Sequence, residues 1–170
     1  MNRLRTNIAA ALAALTLAAL LSNDAGAQQK ALKEQLVGTW TFISTTGKLA
    51  DGSPVWGPNP KGLLIFTDNG RYSSVITRTG VAKFASKNRM QGTPDENKAA
   101  VQGSIANFGT YTVDEANKTF TVSYEGSTYP NNEGTAQTRP FTITGDELKV
   151  INPASSATGG QSELIYKRAK

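Results

Sequence analysis

The chain has 170 residues, 38% apolar and 18% charged, with no Cys and no His. An imidazole-based triad, a thiol nucleophile, an ordinary zinc or haem site and a disulfide framework are therefore excluded. Its 18 Lys and Arg against 13 Asp and Glu are scattered rather than gathered on a stripe with aromatics, which argues against nucleic acid as a partner.

Residues 1–27 read as a secretory leader. Arg3 and Arg5 make a basic start, residues 8–21 are almost all Ala and Leu, and Ala25-Gly26-Ala27 supplies small residues before Gln28. The apolar run of 14 residues is short of the roughly 20 that a spanning helix needs, so no stable membrane insertion is expected. A periplasmic or secreted protein is the expectation. Without the leader the chain carries 16 Lys and Arg against 12 Asp and Glu, and the remaining 28–170 suffices for one core that buries roughly 68% of the unfolded surface.

A short helix is predicted over 29–35. From residue 37 onward the sequence alternates apolar and polar residues in runs rich in Thr, Val, Ile, Tyr and Phe, broken by Gly, Asn, Asp and Pro, which is the all-β pattern. Eight runs stand out, at 37–46, 62–67, 71–78, 108–113, 119–125, 137–144, 147–151 and 162–168. One internal helix is predicted: Thr93-Pro94-Asp95-Glu96 offers an N-cap hydroxyl, Pro in the first turn and Glu three residues after the cap, followed by 97–106. Asp95 and Glu96 are read as capping groups rather than catalytic ones.

Connection lengths decide the architecture. The links at 68–70, 114–118 and 145–146 are hairpin turns, whereas those at 47–61, 79–107, 126–136 and 152–161 are long. In an up-and-down sheet, successive links alternate ends, so the short turns form a closed base and the long loops an elaborated mouth. The prediction is an all-β fold: an eight-stranded antiparallel up-and-down barrel with a short N-terminal helix and one helix between strands three and four. A two-sheet sandwich is the alternative closure.

The first run opens with Leu36-Val37-Gly38-Thr39-Trp40, a Gly-x-Trp element preceded by a short helix, and the last ends in Tyr166-Lys167-Arg168. This resembles the lipocalin superfamily, which implies that Trp40 plugs the closed base behind Gly38 and that Arg168 packs across it. Strand parity alone also puts Trp40 and Arg168 at one end, within reach of a cation-π contact. Further segments, Gly57-Pro58-Asn59-Pro60-Lys61-Gly62, Gly70-Arg71-Tyr72-Ser73, Lys83-Phe84-Ala85-Ser86, Gly92-Thr93-Pro94 and Gly145-Asp146-Glu147-Leu148, look like the bacterial and fungal lipocalin-like domain family. That resemblance implies a fold and brings no substrate or catalytic residue with it.

With Trp40 inside, alternation places Phe42 and Ser44 inside as well. Their expected partners are Leu64, Phe66, Tyr72, Ser74, Ile76, Tyr111, Val113, Phe120, Val122, Tyr124, Arg139, Phe141, Ile143, Leu148, Val150, Leu164 and Tyr166. Ligand sites are expected at barrel mouths, where Trp56, Phe84 and Tyr129 would form an apolar lip and Arg78, Lys83, Lys87 and Arg89 a basic stretch for a carboxylate or phosphate head group. The candidate ligand-binding residues are Trp56, Phe66, Tyr72, Ile76, Arg78, Phe84, Tyr111, Tyr124, Tyr129 and Arg139. Arg139, beside Pro140, is as compatible with an outward as with an inward position. The helix from Pro94, flanked by Gly80 and Gly92, is a candidate lid.

No catalytic residue, metal site or cofactor is predicted. Glu125 is the conceivable general base beside Tyr124 or Arg139, but neighbours on a strand face opposite sides. The expected function is non-covalent binding of a small hydrophobic or amphipathic molecule, with or without an anionic group, in the barrel cavity. The alternatives are a cofactor-independent isomerase or cyclase acting on a lipid- or polyketide-like substrate in the same cavity, and a structural or envelope-interaction domain without ligand.

Overall fold

Each alternating run pairs with its chain neighbour, and the last returns to the first. The computed structural model describes residues 31–170; the leader expected at 1–27 lies outside them. Helix α1 (Leu32–Leu36) leads into β1 (Gly38–Thr45), β2 (Lys61–Phe66) and β3 (Arg71–Thr77), then α2 (Pro94–Gln102). There follow β4 (Ser104–Asp114), β5 (Thr119–Ser127), a 3-10 turn (Pro130–Asn132), β6 (Ala136–Thr144), β7 (Glu147–Asn152) and β8 (Ser162–Arg168). The strands form a closed antiparallel barrel in chain order, with β8 against β1. Closure removes the sheet edges that the two outer strands would otherwise present to solvent. The turns after β2, β4 and β6 share the base, and the four long connections share the mouth. No helix among the described residues is long and apolar enough to cross a membrane.

The base is built as the Gly-x-Trp element implied. Trp40 is fully buried and its indole N–H donates to the Leu36 carbonyl at 2.8 Å. Arg168 lies over the ring, 4.1 Å from its centroid, and donates to the carbonyls of Gln35 and Val37. Gly38 has φ +131, and a Cβ there would stand 3.0 Å from Arg168 Nη1, so this position suits glycine on both conformational and steric grounds. The Glu115 carboxylate, in the turn after β4, accepts from the N–H groups of Leu32 and Lys33 and so satisfies the first turn of α1.

An aromatic tier also lies toward the base, where Phe66 pairs with Gly38. Phe66 packs edge-on to Tyr111 and Phe120, with centroids 4.7 and 5.1 Å away, and Phe120 meets Phe141. Each such side chain, taken from water, contributes roughly 1.5–3 kcal/mol before entropy is charged against it. This tier fills the lower barrel.

Two expectations need correction. Ser44 is exposed and Thr45 faces the interior instead, because the β1–β8 register shifts between Phe42 and Ser44 and a bulge exchanges inside for outside. The predicted helix over 97–106 ends at Gln102, and β4 starts at Ser104 rather than 108. Pairing of Ser104, Ile105 and Ala106 with Thr77, Ile76 and Val75 outweighs the modest helical preference of an Ala-containing segment.

Candidate ligand site at the barrel mouth

Level along a strand decides what each inward residue can touch. β3 and β5 run from base to mouth, so Tyr72, Ser74 and Ile76 climb one wall, and Val122 and Tyr124 climb another. β4 and β6 descend, which sets Asn107 and Arg139 above Tyr111 and Phe141. Over the aromatic tier there remains a small chamber of about 70 Å³, walled by Tyr72, Ser74, Ile76, Asn107, Tyr124, Gln137, Arg139, Ser162, Leu164 and Tyr166. Two mouth loops roof it. Val55 and Trp56 come from the β1–β2 loop, anchored by Val55 N–H to the Gly47 carbonyl, and residues 152–156 come from the β7–β8 connection, with Gln137 Nε2 donating to the Ala154 carbonyl.

The chamber is polar and largely self-paired. Arg139 Nε donates to Gln137 Oε1 and its Nη2 to the Tyr124 hydroxyl, both at 2.8 Å. The Tyr72 hydroxyl donates to Asn107 Oδ1. Burial pushes the Tyr72 phenol well above its ordinary range and the Tyr166 phenol up to about 12, with the positive charge of Arg139 opposing the rise in both.

A second, wider pocket of about 680 Å³ lies at the rim. Leu49, Ala50, Val55, Trp56, Val101, Ile105, Tyr129 and Ala157 supply its apolar wall, with Asp51, Arg78, Gln102, Ser104, Thr128 and Ser156 among them. Val55, Trp56, Ile105 and Ser156 line both spaces, so chamber and rim pocket adjoin across Trp56. Arg78 is held by an Nη2 bond to the Val55 carbonyl at 2.7 Å, while its buried Nε finds no partner among the described residues.

Of the residues singled out from sequence, Tyr72, Ile76, Tyr124 and Arg139 meet in the chamber, Arg78 and Tyr129 in the rim pocket, and Trp56 in both. Phe66 and Tyr111 instead belong to the filled tier below, where the Tyr111 hydroxyl donates to the Thr67 carbonyl. The reason is their place at the base end of their strands. Phe84 lines neither space and stands against Gly92 in the β3–β4 connection. Lys83, Lys87 and Arg89 are exposed and line neither space. Glu125 is on the outer face, bound by both oxygens to Arg71 at 2.6 and 2.7 Å, which holds its carboxyl below the usual range. It cannot serve as an interior base.

Asn107, Gln137 and Ser162 were missed. Gln137 and Ser162 are in phase with Arg139 and Leu164, so alternation alone would have found them. Asn107 was hidden by reading the preceding residues as helix.

A family profile described as the lipocalin-like domain matches residues 37–169. The chain belongs to the lipocalin-like domain family. The match runs from the residue before Gly38 to the one after Arg168, so it takes in every strand and both halves of the Trp40–Arg168 base. No curated protein matches the chain. Of the two spaces, the chamber is walled mainly by strand residues and the rim pocket mainly by the long connections.

Proposed function

We propose that this lipocalin-like protein is exported and binds a small hydrophobic or amphipathic molecule, non-covalently, at the mouth of its barrel. The observation that carries the reading is the adjoining pair of spaces: a largely apolar rim pocket of about 680 Å³ and a polar chamber of about 70 Å³, which share Val55, Trp56, Ile105 and Ser156 as walls. The sizes suit an apolar body in the first and at most a compact polar group in the second. Export is supported by the basic start, apolar run and small residues ahead of Gln28.

Burial of apolar surface contributes roughly 0.8 kcal/mol for each methylene. An eight-carbon chain therefore gains about 6 kcal/mol, much of which association entropy consumes. Affinity then depends on whatever polar anchor accompanies the chain.

Native mass spectrometry of the purified protein, set against its denatured mass, tests the reading. A bound small molecule of constant mass, lost or weakened in Trp56→Ala while the circular dichroism of the barrel is kept, is the expected result. Repeated absence of any adduct, together with no thermal shift across aliphatic and aromatic amphiphiles, would overturn it. The mature N-terminus, expected at Gln28 in a periplasmic or secreted fraction, checks export separately.

A further inference from the structure

Among the described residues, the chamber beneath Trp56 is lined by one guanidinium and no carboxylate. Arg139 spends two of its donors on Gln137 and Tyr124, both neutral, and its Nη1 has no protein partner among the described residues. The ion pairs seen among those residues, Arg71 with Glu125 and Lys149 with Glu163, involve side chains of the outer face. A half-buried cation without a counter-charge is costly to desolvate, and that cost is relieved when an anion enters. Arg139 also acts on the interior directly, opposing the burial-driven rise of the Tyr72 and Tyr166 phenols.

Arg78 offers a contrast. It lies in the rim pocket, but Asp51 lines the same pocket and is itself drawn down, after its bonds to Ser53, in part by the charge of Arg78. The rim pocket thus has a carboxylate as well as a guanidinium in its wall. No carboxylate lines the chamber among the described residues, and at about 70 Å³ it has room for a head group of only a few heavy atoms.

We propose that the chamber is the head-group subsite of the rim pocket and takes a carboxylate. On this reading, which rests on the mouth-binding function above, the ligand is an amphipathic monocarboxylate bound head-down. Its oxygens accept from the free N–H groups of Arg139, with Tyr124 and Gln137 holding the guanidinium in place, and its apolar body passes Trp56 into the rim pocket. The planar fork of Arg suits a carboxylate in two-point contact. A glycosyl or phosphodiester head would be too large for the space.

Isothermal titration of the purified protein with octanoate, 1-octanol and octyl phosphate tests this. Octanoate is expected to bind at least about tenfold tighter than octanol, the scale of a charge-assisted anchor. That ratio should collapse toward one in Arg139→Gln, survive in part in Arg139→Lys, and stay well above one in Arg78→Gln. Equal affinity of octanoate and octanol for the unmodified protein overturns the head-group assignment and leaves mouth binding standing, and this comparison needs no variant to fold. A preference abolished by Arg78→Gln and kept in Arg139→Gln also overturns it, by placing the head at the rim. Octyl phosphate binding as tightly as octanoate overturns the restriction to carboxylates. If none of the three binds, the mouth-binding reading fails and this inference falls with it.

Discussion

Arg168 stacks its guanidinium 4.1 Å from the centre of the Trp40 ring while donating at 2.6 Å to the carbonyl of Gln35 and at 3.1 Å to that of Val37. One side chain from the end of the last strand thus joins the plug of the base to the segment that enters the first strand. The stack and two charged hydrogen bonds together are worth about 2–3 kcal/mol. Arg168→Gln should lower the unfolding free energy by that amount, with a reduced urea midpoint and an unchanged slope, and Arg168→Lys should fall between. A midpoint equal to the wild type in Arg168→Gln would mean that the base closes without this contact.

Gly109 sits at the irregularity where the β4–β5 register shifts, and a Cβ built on it would stand 1.9 Å from the Ser123 carbonyl oxygen. Two backbones meet there, so no side-chain rotation can relieve the clash. Gly109→Ala is expected to cost more than about 2 kcal/mol. Gly160→Ala, where nothing lies within 4 Å, should stay within about 0.5 kcal/mol of wild type. Chemical unfolding of the pair checks the contrast, and equal stability of the two variants would contradict it.

The barrel was legible because its signals are local and repeated. In β3, Tyr72, Ser74 and Ile76 are buried and Arg71, Ser73 and Val75 exposed, as period-two alternation requires, and the lengths of the connections alone assigned base and mouth. The bulges were not legible, since the shift that turns Ser44 out and Thr45 in depends on how β1 meets β8. Neither was the end of α2, which is fixed by long-range pairing of Ser104 to Ala106 with β3. The site was half legible. Alternation shows which residues face inward, but their level follows from strand direction: Phe66, the last residue of its strand, lies near the base. The roof over the chamber, made by residues 152–156, comes from a loop whose path no periodicity describes.

Alkaline pH should expose the buried phenols. Burial holds the Tyr166 phenol up to about 12 and the Tyr72 phenol higher still, whereas both would ionise near pH 10 in the unfolded chain. Between those values the unfolded chain has released protons that the folded one retains. Stability is therefore complete below about pH 10 and falls as pH rises toward 12, by roughly 1 kcal/mol per unit for each phenol. Urea midpoints between pH 9 and 11.5 should fall accordingly, and Tyr166→Phe should remove its share of the slope. Absorbance at 295 nm should show part of the tyrosinate signal appearing only with unfolding. A midpoint independent of pH over this range would contradict the burial argument.

Glu96 ties the rim of the pocket to the loop before it. Its Oε2 accepts from the Thr93 N–H and its Oε1 from the Ala85 N–H, both at 2.8 Å, while Thr93 Oγ1 caps the Glu96 N–H in return. Helix α2 has no fully buried residue, so the cap and the onward pull of β4 carry most of what keeps it formed. Because Val101 and Gln102 of its last turn wall the rim pocket, loosening α2 loosens one side of the mouth. Glu96→Ala should cost about 1 kcal/mol locally, seen as a five- to tenfold loss of hydrogen-exchange protection (~1–1.4 kcal/mol) over 95–102. The barrel strands should keep theirs, since the mouth helix and the closed sheet then open separately. Equal losses in β3 and β5 would show instead that helix and barrel unfold as one unit, and unchanged protection in α2 would show that the box is dispensable.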